Sequence, residues 1–268
     1  MSKLEQLKNY IKSLKKVTIA FSGGVDSTFL LKVASEVLGK DVVAITIETP
    51  YVPKWEIKES IELAKSFGCT HKIIKLDKIQ EEVKFNLSNR CYLCKKQMFE
   101  KILNFANELD IEYVLDGTNI DDTNDYRPGI KALEELKVKS PLKELCITKK
   151  EIRNYSKKLG LRTFDKPSYS CLLTRLESEI EVTENKLRRI EEAELILHNY
   201  GFKAVRVRNH GDLARIEVEK ELLDNILDKN LLKEISEKIK GVGYKFVSLD
   251  MDGYTMGNFN KIEVNTNE

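Results

Sequence analysis

Six consecutive residues, Ser22-Gly23-Gly24-Val25-Asp26-Ser27, combine the groups needed to hold a polyphosphate. Two adjacent glycines let backbone N–H groups approach an anion with no Cβ in the way. A helix that starts at such a turn adds unsatisfied N–H donors and the positive end of its dipole. Ser22 and Ser27 offer hydroxyls, and Asp26 offers a carboxylate that can hold Mg2+ or orient the loop. The GxxxxGK[ST] pattern is absent, which disfavours the ATPases and kinases built on a Walker A loop. An ordinary glycine turn between a strand and a helix is the plainer alternative.

Sulfur provides a second kind of chemistry. Cys91 and Cys94 have metal-ligand spacing, but two cysteines do not close a site. No second C-x-x-C or C-x-x-H exists, and His71, His198 and His210 are scattered. Cys171 is the economical partner. Three thiolates on a [4Fe–4S] cluster leave one iron open for chemistry. A redox dithiol or two ordinary cysteines remain open on spacing alone. Cys69 and Cys146 sit near apolar residues and are expected in packing.

Charged side chains form two further groups. The run Asp116-Gly117-Thr118-Asn119-Ile120-Asp121-Asp122 can help hold Mg2+ beside phosphates, or can be an Asx-rich turn. Arg127 can contact phosphate, carboxylate or a neighbouring loop. Arg206 and Arg208 alternate on an expected strand, so both face one side and can clamp an anion. Glu217 falls on the partner strand and Glu194 on the preceding helix. On pattern alone, surface salt bridges are the favoured reading of these four.

The elements that must position these residues alternate. Strands are expected at Val17–Phe21, Val42–Thr46, Lys72–Leu76 and Tyr113–Asp116. Helices fall between them, near Thr28–Val37, Trp55–Phe67 and Lys95–Leu109. The rhythm predicts a parallel sheet with helices on both faces and a ligand site at the carboxyl ends of the strands. Both Ser22–Ser27 and Asp116–Asn119 follow strands and are expected on the same edge. Thr148 and Glu151 form a capping box for a helix over Lys149–Leu159, which Gly160 stops. Beyond a connector lie a helix introduced by Thr183 and ending at Asn199, strands Ala204–Val207 and Ala214–Val218 about an Asn209–Asp212 turn, and helical stretches Glu221–Asp228 and Leu231–Lys240. Strand Tyr244–Leu249 follows, and the polar tail Asn260–Glu268 is expected to fray. The expected organisation is an α/β domain over 1–175 including the connector with Cys171, and a smaller α/β domain over 176–268.

Composition sets limits. At 268 residues, 41% apolar and 33% charged, the chain reads as an ordinary globular protein. A net charge of only +2 gives no strong case for nucleic acid. Neither a membrane-length apolar run nor a signal peptide is present, and five cysteines give no even disulfide framework, so the cytoplasm is the expected location.

Read in order, SGGVDS, NRCYLCK (89–95), DGTNIDDTNDYRPG (116–129), SPLKEL (140–145), TKKEIR (148–153) and DKPSYSCLLTR (165–175) resemble the LarE family of ATP-dependent sulfur transferases, within the PP-loop ATP pyrophosphatases. The resemblance is strong over about residues 1–175 and rests beyond that on element order and the Arg/Glu pattern. It implies ATP bound by Ser22–Ser27 with Asp116, Gly117 and Thr118, and activation of a carboxylate of pyridinium-3,5-biscarboxylic acid mononucleotide as an acyl-adenylate. Sulfur then replaces AMP, a step toward the nickel-pincer nucleotide cofactor. Members with one cysteine at the position of Cys171 surrender its sulfur. Members with three match Cys91, Cys94 and Cys171 and are thought to use a [4Fe–4S] cluster. The resemblance also implies substrate contacts at Arg206, Arg208, Arg175, Glu194 and Glu217, and a homo-oligomer; it leaves the sulfide donor unnamed. Thr174-Arg175-Leu176-Glu177-Ser178-Glu179 departs from the SRIPYG-like run usual after the third cysteine. The main rival is an iron–sulfur tRNA thiolation enzyme, which needs a basic, phosphate-tracking surface that this charge balance disfavours. An NAD synthetase-like ligase would share SGGVDS without a use for three thiolates. A non-enzymatic zinc or redox module would release no pyrophosphate from ATP.

Overall fold

The computed structural model describes residues 1–124 and 128–254. They divide into two compact units, Met1–Val83 with Ser88–Ser168, and Lys84–Leu87 with the chain from Tyr169 onward. The break at 168/169 precedes the expected 175/176 boundary, so Cys171 belongs to the second unit.

In the first unit the order is α1 (Lys3–Leu14), β1 (Val17–Ala20), α2 (Val25–Leu38), β2 (Val42–Glu48), α3 (Lys54–Phe67), β3 (Thr70–Lys75), α4 (Arg90–Glu108), β4 (Tyr113–Leu115), α5 (Pro128–Glu135), α6 (Pro141–Glu144) and α7 (Lys149–Lys158). The four strands form the expected parallel sheet, and its order is β3-β2-β1-β4. Val17 pairs with Val42 on one side and with Tyr113 on the other. The β-branched run of β1 is buried because helices cover both faces. Leu7, Ile11, Phe29, Leu30 and Ile152 pack on one side; Phe99, Ile102, Ile111 and Val114 pack on the other. Each such fully buried Leu or Phe contributes roughly 1.5–3 kcal/mol.

Local chemistry sets the helix ends. Thr148 accepts from Glu151 N while the Glu151 carboxylate accepts from Thr148 N, which is the expected capping box on α7. Ser2 and Glu5 repeat it on α1, a helix absent from the sequence expectation, as are α5 and α6. Helix α4 starts at Arg90 rather than Lys95, which puts Cys91 and Cys94 inside its first turn.

The second unit contains α8 (Glu184–Asn199), β5 (Arg206–His210), β6 (Leu213–Glu217), α9 (Leu223–Ile226), α10 (Lys229–Gly241) and β7 (Phe246–Leu249). Thr183 caps α8 as expected. The sheet order is β5-β6-β7, antiparallel between the first pair and parallel between the second. Leu197, Val207, Ile216, Ile235 and Ile239 form its core. Strands β5 and β7 begin two residues later than expected, at Arg206 and Phe246. The tail 255–268 lies outside the described residues.

Candidate active site

In the first unit the chain adds β2 and β3 on one side of β1 and then returns to place β4 on the other. Loops leaving β1 and β4 therefore diverge from a switch point, where an open parallel sheet presents a crevice. Ser22–Ser27 leaves β1 and Asp116–Asn119 leaves β4, so the two expected loops do share an edge. Their approach is tight: a Cβ on Gly117 would stand 2.9 Å from Ser27 N.

The geometry of Ser22–Ser27 suits an anion. Gly23 has φ +72°, and Gly24 is the N-cap of α2 with no side-chain cap, so no side chain occupies the first-turn N–H groups. Ser22 Oγ lies 3.1 Å from Ser27 Oγ and accepts from Gly24 N at 3.3 Å. Asp26 Oδ2 accepts from Lys149 Nζ at the start of α7. Its Oδ1 is buried with no hydrogen-bond partner among the described residues. Burial pushes the Asp26 carboxyl up, and Lys149 offsets this only in part. A buried, unpartnered carboxylate oxygen beside a phosphate cradle fits a hard cation such as Mg2+.

The acidic run behaves differently. Thr118 Oγ1 and Ser140 Oγ donate to the two carboxylate oxygens of buried Asp116, and Lys95 Nζ stands 3.7 Å away. Asp121 Oδ2 accepts from Lys149 N at 2.7 Å, and Asp122 Oδ2 from Asn119 N at 3.0 Å. The Asx turn of the plainer alternative is present at Asn119, whose Oδ1 accepts from Asp121 N at 2.9 Å, whereas Asp116 anchors the β4 loop. Arg127 lies outside the described residues.

Two lysines escaped the sequence reading. One is Lys149; the other is Lys166, which donates to Gly23 O at 3.1 Å and Glu59 Oε2 at 2.7 Å over the Trp55 ring. Arg153 holds the Phe164 and Lys166 carbonyls and so aims that turn. Both lysines sit in runs singled out above, but nothing in linear spacing says that they reach the phosphate loop.

Cys91 and Cys94 share one face of the first turn of α4, three residues apart. Cys91 is exposed; Cys94 is half-buried, with Sγ 3.5 Å from Tyr51 Oη and from Met98 Sδ. The adjoining Lys95 links this turn to Asp116 and hence to the phosphate-loop edge. No disulfide joins any of the five cysteines. Cys69 packs half-buried and donates to Ala64 O, whereas Cys146 is exposed and does not fill the packing role expected of it.

In the second unit Cys171 immediately precedes the tight turn Leu172–Arg175. The surface-bridge reading of the Arg/Glu set is overturned here. Arg175, Arg206, Arg208, Glu194 and Glu217 are all at most 4% exposed. Arg208 forks onto Glu217 at 2.9 and 2.8 Å, and Arg175 onto Glu194 at 2.8 and 3.0 Å. Arg206 lies over the Tyr169 and Tyr254 rings at 5.3 and 4.7 Å. Burial alone would raise the Glu194 carboxyl, but Arg175 and Arg206 outweigh it and hold the carboxyl below its ordinary range. Burial, then Arg175, push the Arg206 guanidinium down. Three buried guanidinium groups against two buried carboxylates leave a positive surplus suited to phosphate.

Within neither unit, among the described residues, do three or more His, Cys, Asp or Glu side chains form a metal-holding group. No helix among the described residues is long and apolar enough to cross a membrane.

Three kinds of relative bear on this site. The NAD synthase family model matches residues 2–110, which run from α1 through α4. An uncharacterized protein of Synechocystis sp. is 39% identical over 97% of this chain and 98% of its own length. One of Methanocaldococcus jannaschii is 39% identical over 95% and 98%. The pyridinium-3,5-bisthiocarboxylic acid mononucleotide synthase of Lactiplantibacillus plantarum is 32% identical over 93% of this chain and 91% of its own.

Proposed function

Because the chain belongs to the LarE-like family of PP-loop, ATP-using enzymes, we propose that it is an ATP-dependent sulfur transferase acting on pyridinium-3,5-biscarboxylic acid mononucleotide. A substrate carboxylate attacks the α-phosphorus of ATP, giving acyl-adenylate and pyrophosphate. Sulfide sulfur then adds to the acyl carbon and AMP departs, leaving a thiocarboxylate for the nickel-pincer nucleotide cofactor. AMP is the better leaving group, so ATP cleavage makes the exchange feasible. The observation that carries this reading is the phosphate loop, free of side-chain caps, on an edge tied through Asp116 and Lys95 to the Cys91/Cys94 turn.

In this reading Ser22, Gly23, Gly24, Val25, Asp26 and Ser27 bind the ATP phosphates, with Gly117 and Thr118 completing the wall. Asp26 Oδ1 would help hold Mg2+. Arg206 and Arg208 bind the substrate phosphate; Glu217 holds Arg208 in place, and Glu194 offsets the charge of Arg206. The donor set fits an iron–sulfur group by its chemistry: Cys91 and Cys94 share a helical turn, none of the three thiols is in a disulfide, and soft thiolates select such clusters. Cys171 would supply the third thiolate. A [4Fe–4S] cluster on three thiolates would supply an open iron for exogenous sulfide, making the enzyme reusable. The active form is proposed to be a homo-oligomer.

Anaerobic purification, with iron and acid-labile sulfide measured per chain beside Cys91→Ala and Cys171→Ala, tests the cluster. About four irons, lost in both variants, is the expected result. No iron after reconstitution would overturn it, and a mass loss at Cys171 after one turnover would make that residue the sacrificial donor. Pyrophosphate release that requires the pyridinium mononucleotide tests the activation step.

A further inference from the structure

The turn that follows Cys171 is held by its own last residue, Arg175, and by Arg208 and Asn86 from elsewhere in the second unit. Arg175 Nη1 has four acceptors within 3.1 Å: Ser170 O, Ser170 Oγ, Cys171 O and Thr174 Oγ1. Arg208 Nη1 donates to Thr174 O at 2.6 Å. Asn86 Nδ2 donates to Leu173 O and Leu176 O, both at 3.2 Å. Thr174 N closes the turn on Cys171 O at 3.1 Å. The carbonyls of 170, 171, 173, 174 and 176 are thus all engaged by three buried side chains.

Burying a guanidinium is costly unless a carboxylate neutralises it and its remaining N–H groups find acceptors. Arg175 meets both conditions. Its Nε and Nη2 fork onto Glu194, and its Nη1 is turned to the cysteine backbone. Glu194 Oε1 also accepts from Val207 N, which ties this pair to β5. With 0% exposure, Arg175 has no face open to a substrate.

We infer that Arg175 is the positioning residue for Cys171: neutralised by Glu194, it fixes the backbone of Ser170–Thr174 and with it the direction of the Cys171 side chain. Arg208 fixes the far end of the same turn through Thr174 O. The consequence for chemistry rests on the sulfur-transfer reading; the fixing of the turn does not.

Hydrogen exchange of the full chain, read over residues 170–176, tests it in Arg175→Lys and in Ser170→Ala/Thr174→Ala. Lysine keeps the charge but loses the fork, so exchange in the turn is expected to rise about tenfold while α8, β5 and β6 keep their protection. The double variant removes the two hydroxyl acceptors of Arg175 Nη1 and, with them, the Ser170–Thr174 hydroxyl bond and the Thr174 Oγ1 bond to Cys171 O, at sites outside the core. It is expected to show about a fivefold rise at an unchanged melting temperature, and decides the matter if Arg175→Lys fails to fold. Unchanged exchange over 170–176 in either folded protein overturns the inference. In turnover, Arg175→Lys is expected to keep its KM for ATP and its pyrophosphate release while thiocarboxylate formation falls about 100-fold. If exchange rises but the unaltered enzyme makes no thiocarboxylate, the sulfur reading fails and the positioning role stands.

Discussion

The two units hold charge in opposite ways. The phosphate loop of the first unit is made from backbone N–H groups, glycines and one carboxylate that burial disfavours, with Asp26 Oδ1 left without a partner. The second unit buries its charges already neutralised, as two Arg–Glu forks and a guanidinium stacked on tyrosines. The first arrangement leaves binding capacity unspent until a ligand arrives. The second spends most of its capacity on fixing its own backbone, and keeps one positive surplus. A phosphate cradle can therefore be weakened without unfolding its unit, whereas the buried ion pairs cannot be cut without structural cost.

Cutting an ion pair is expected to have the largest effect. Glu194→Ala leaves Arg175 buried without its carboxylate and should destabilise the second unit by about 3–5 kcal/mol, read by urea unfolding and by exchange in α8. Gly117→Ala pushes a Cβ into the Ser27 backbone. It should lower ATP-dependent pyrophosphate release about 100-fold while leaving exchange in β5 and β6 unchanged. If both substitutions unfold their units equally, the contrast fails.

Acid sharpens the comparison. The Glu194 carboxyl lies below its ordinary value, so its stabilisation is fully present above about pH 4.3 and is lost as pH falls through the depressed value. The Asp26 carboxyl is raised, so its burden sets in as pH rises through the ordinary aspartate range and remains at neutrality. Asp26→Asn should therefore gain stability at pH 7, with the gain shrinking as pH falls through that range, while Mg2+-dependent ATP use drops. Unfolding curves across pH 3–7 (a range of about four units) check both signs. Smallest of all, Cys146→Ser at an exposed site should change stability by less than about 0.5 kcal/mol, measured by thermal unfolding.

Much of the first unit was legible because its signals are local. A β-branched run, a glycine pair and a helix start lie within a dozen residues, and strand–helix alternation permits few sheet orders. The Thr148/Glu151 box was readable for the same reason. The start of α4 was not, because Asn89 provides no side-chain cap and the helix is fixed instead by packing of Phe99 and Ile102 under the sheet. Lys166 and Lys149 were also invisible as loop partners, since each reaches Gly23 or Asp26 across more than a hundred residues of chain.

By itself the sequence determined the phosphate-loop motif, the parallel α/β order and the set of thiols, because each is written in residue types at short spacing. Tertiary structure alone decided which charges are spent and which remain available. Alternation along β5 said that Arg206 and Arg208 share a face, but burial turned a supposed surface pattern into a neutralised core array. It also turned Arg175 Nη1 toward the backbone of the cysteine turn. The physical reason is that desolvation energy depends on what surrounds a charge in space, and neighbours along the chain do not specify it.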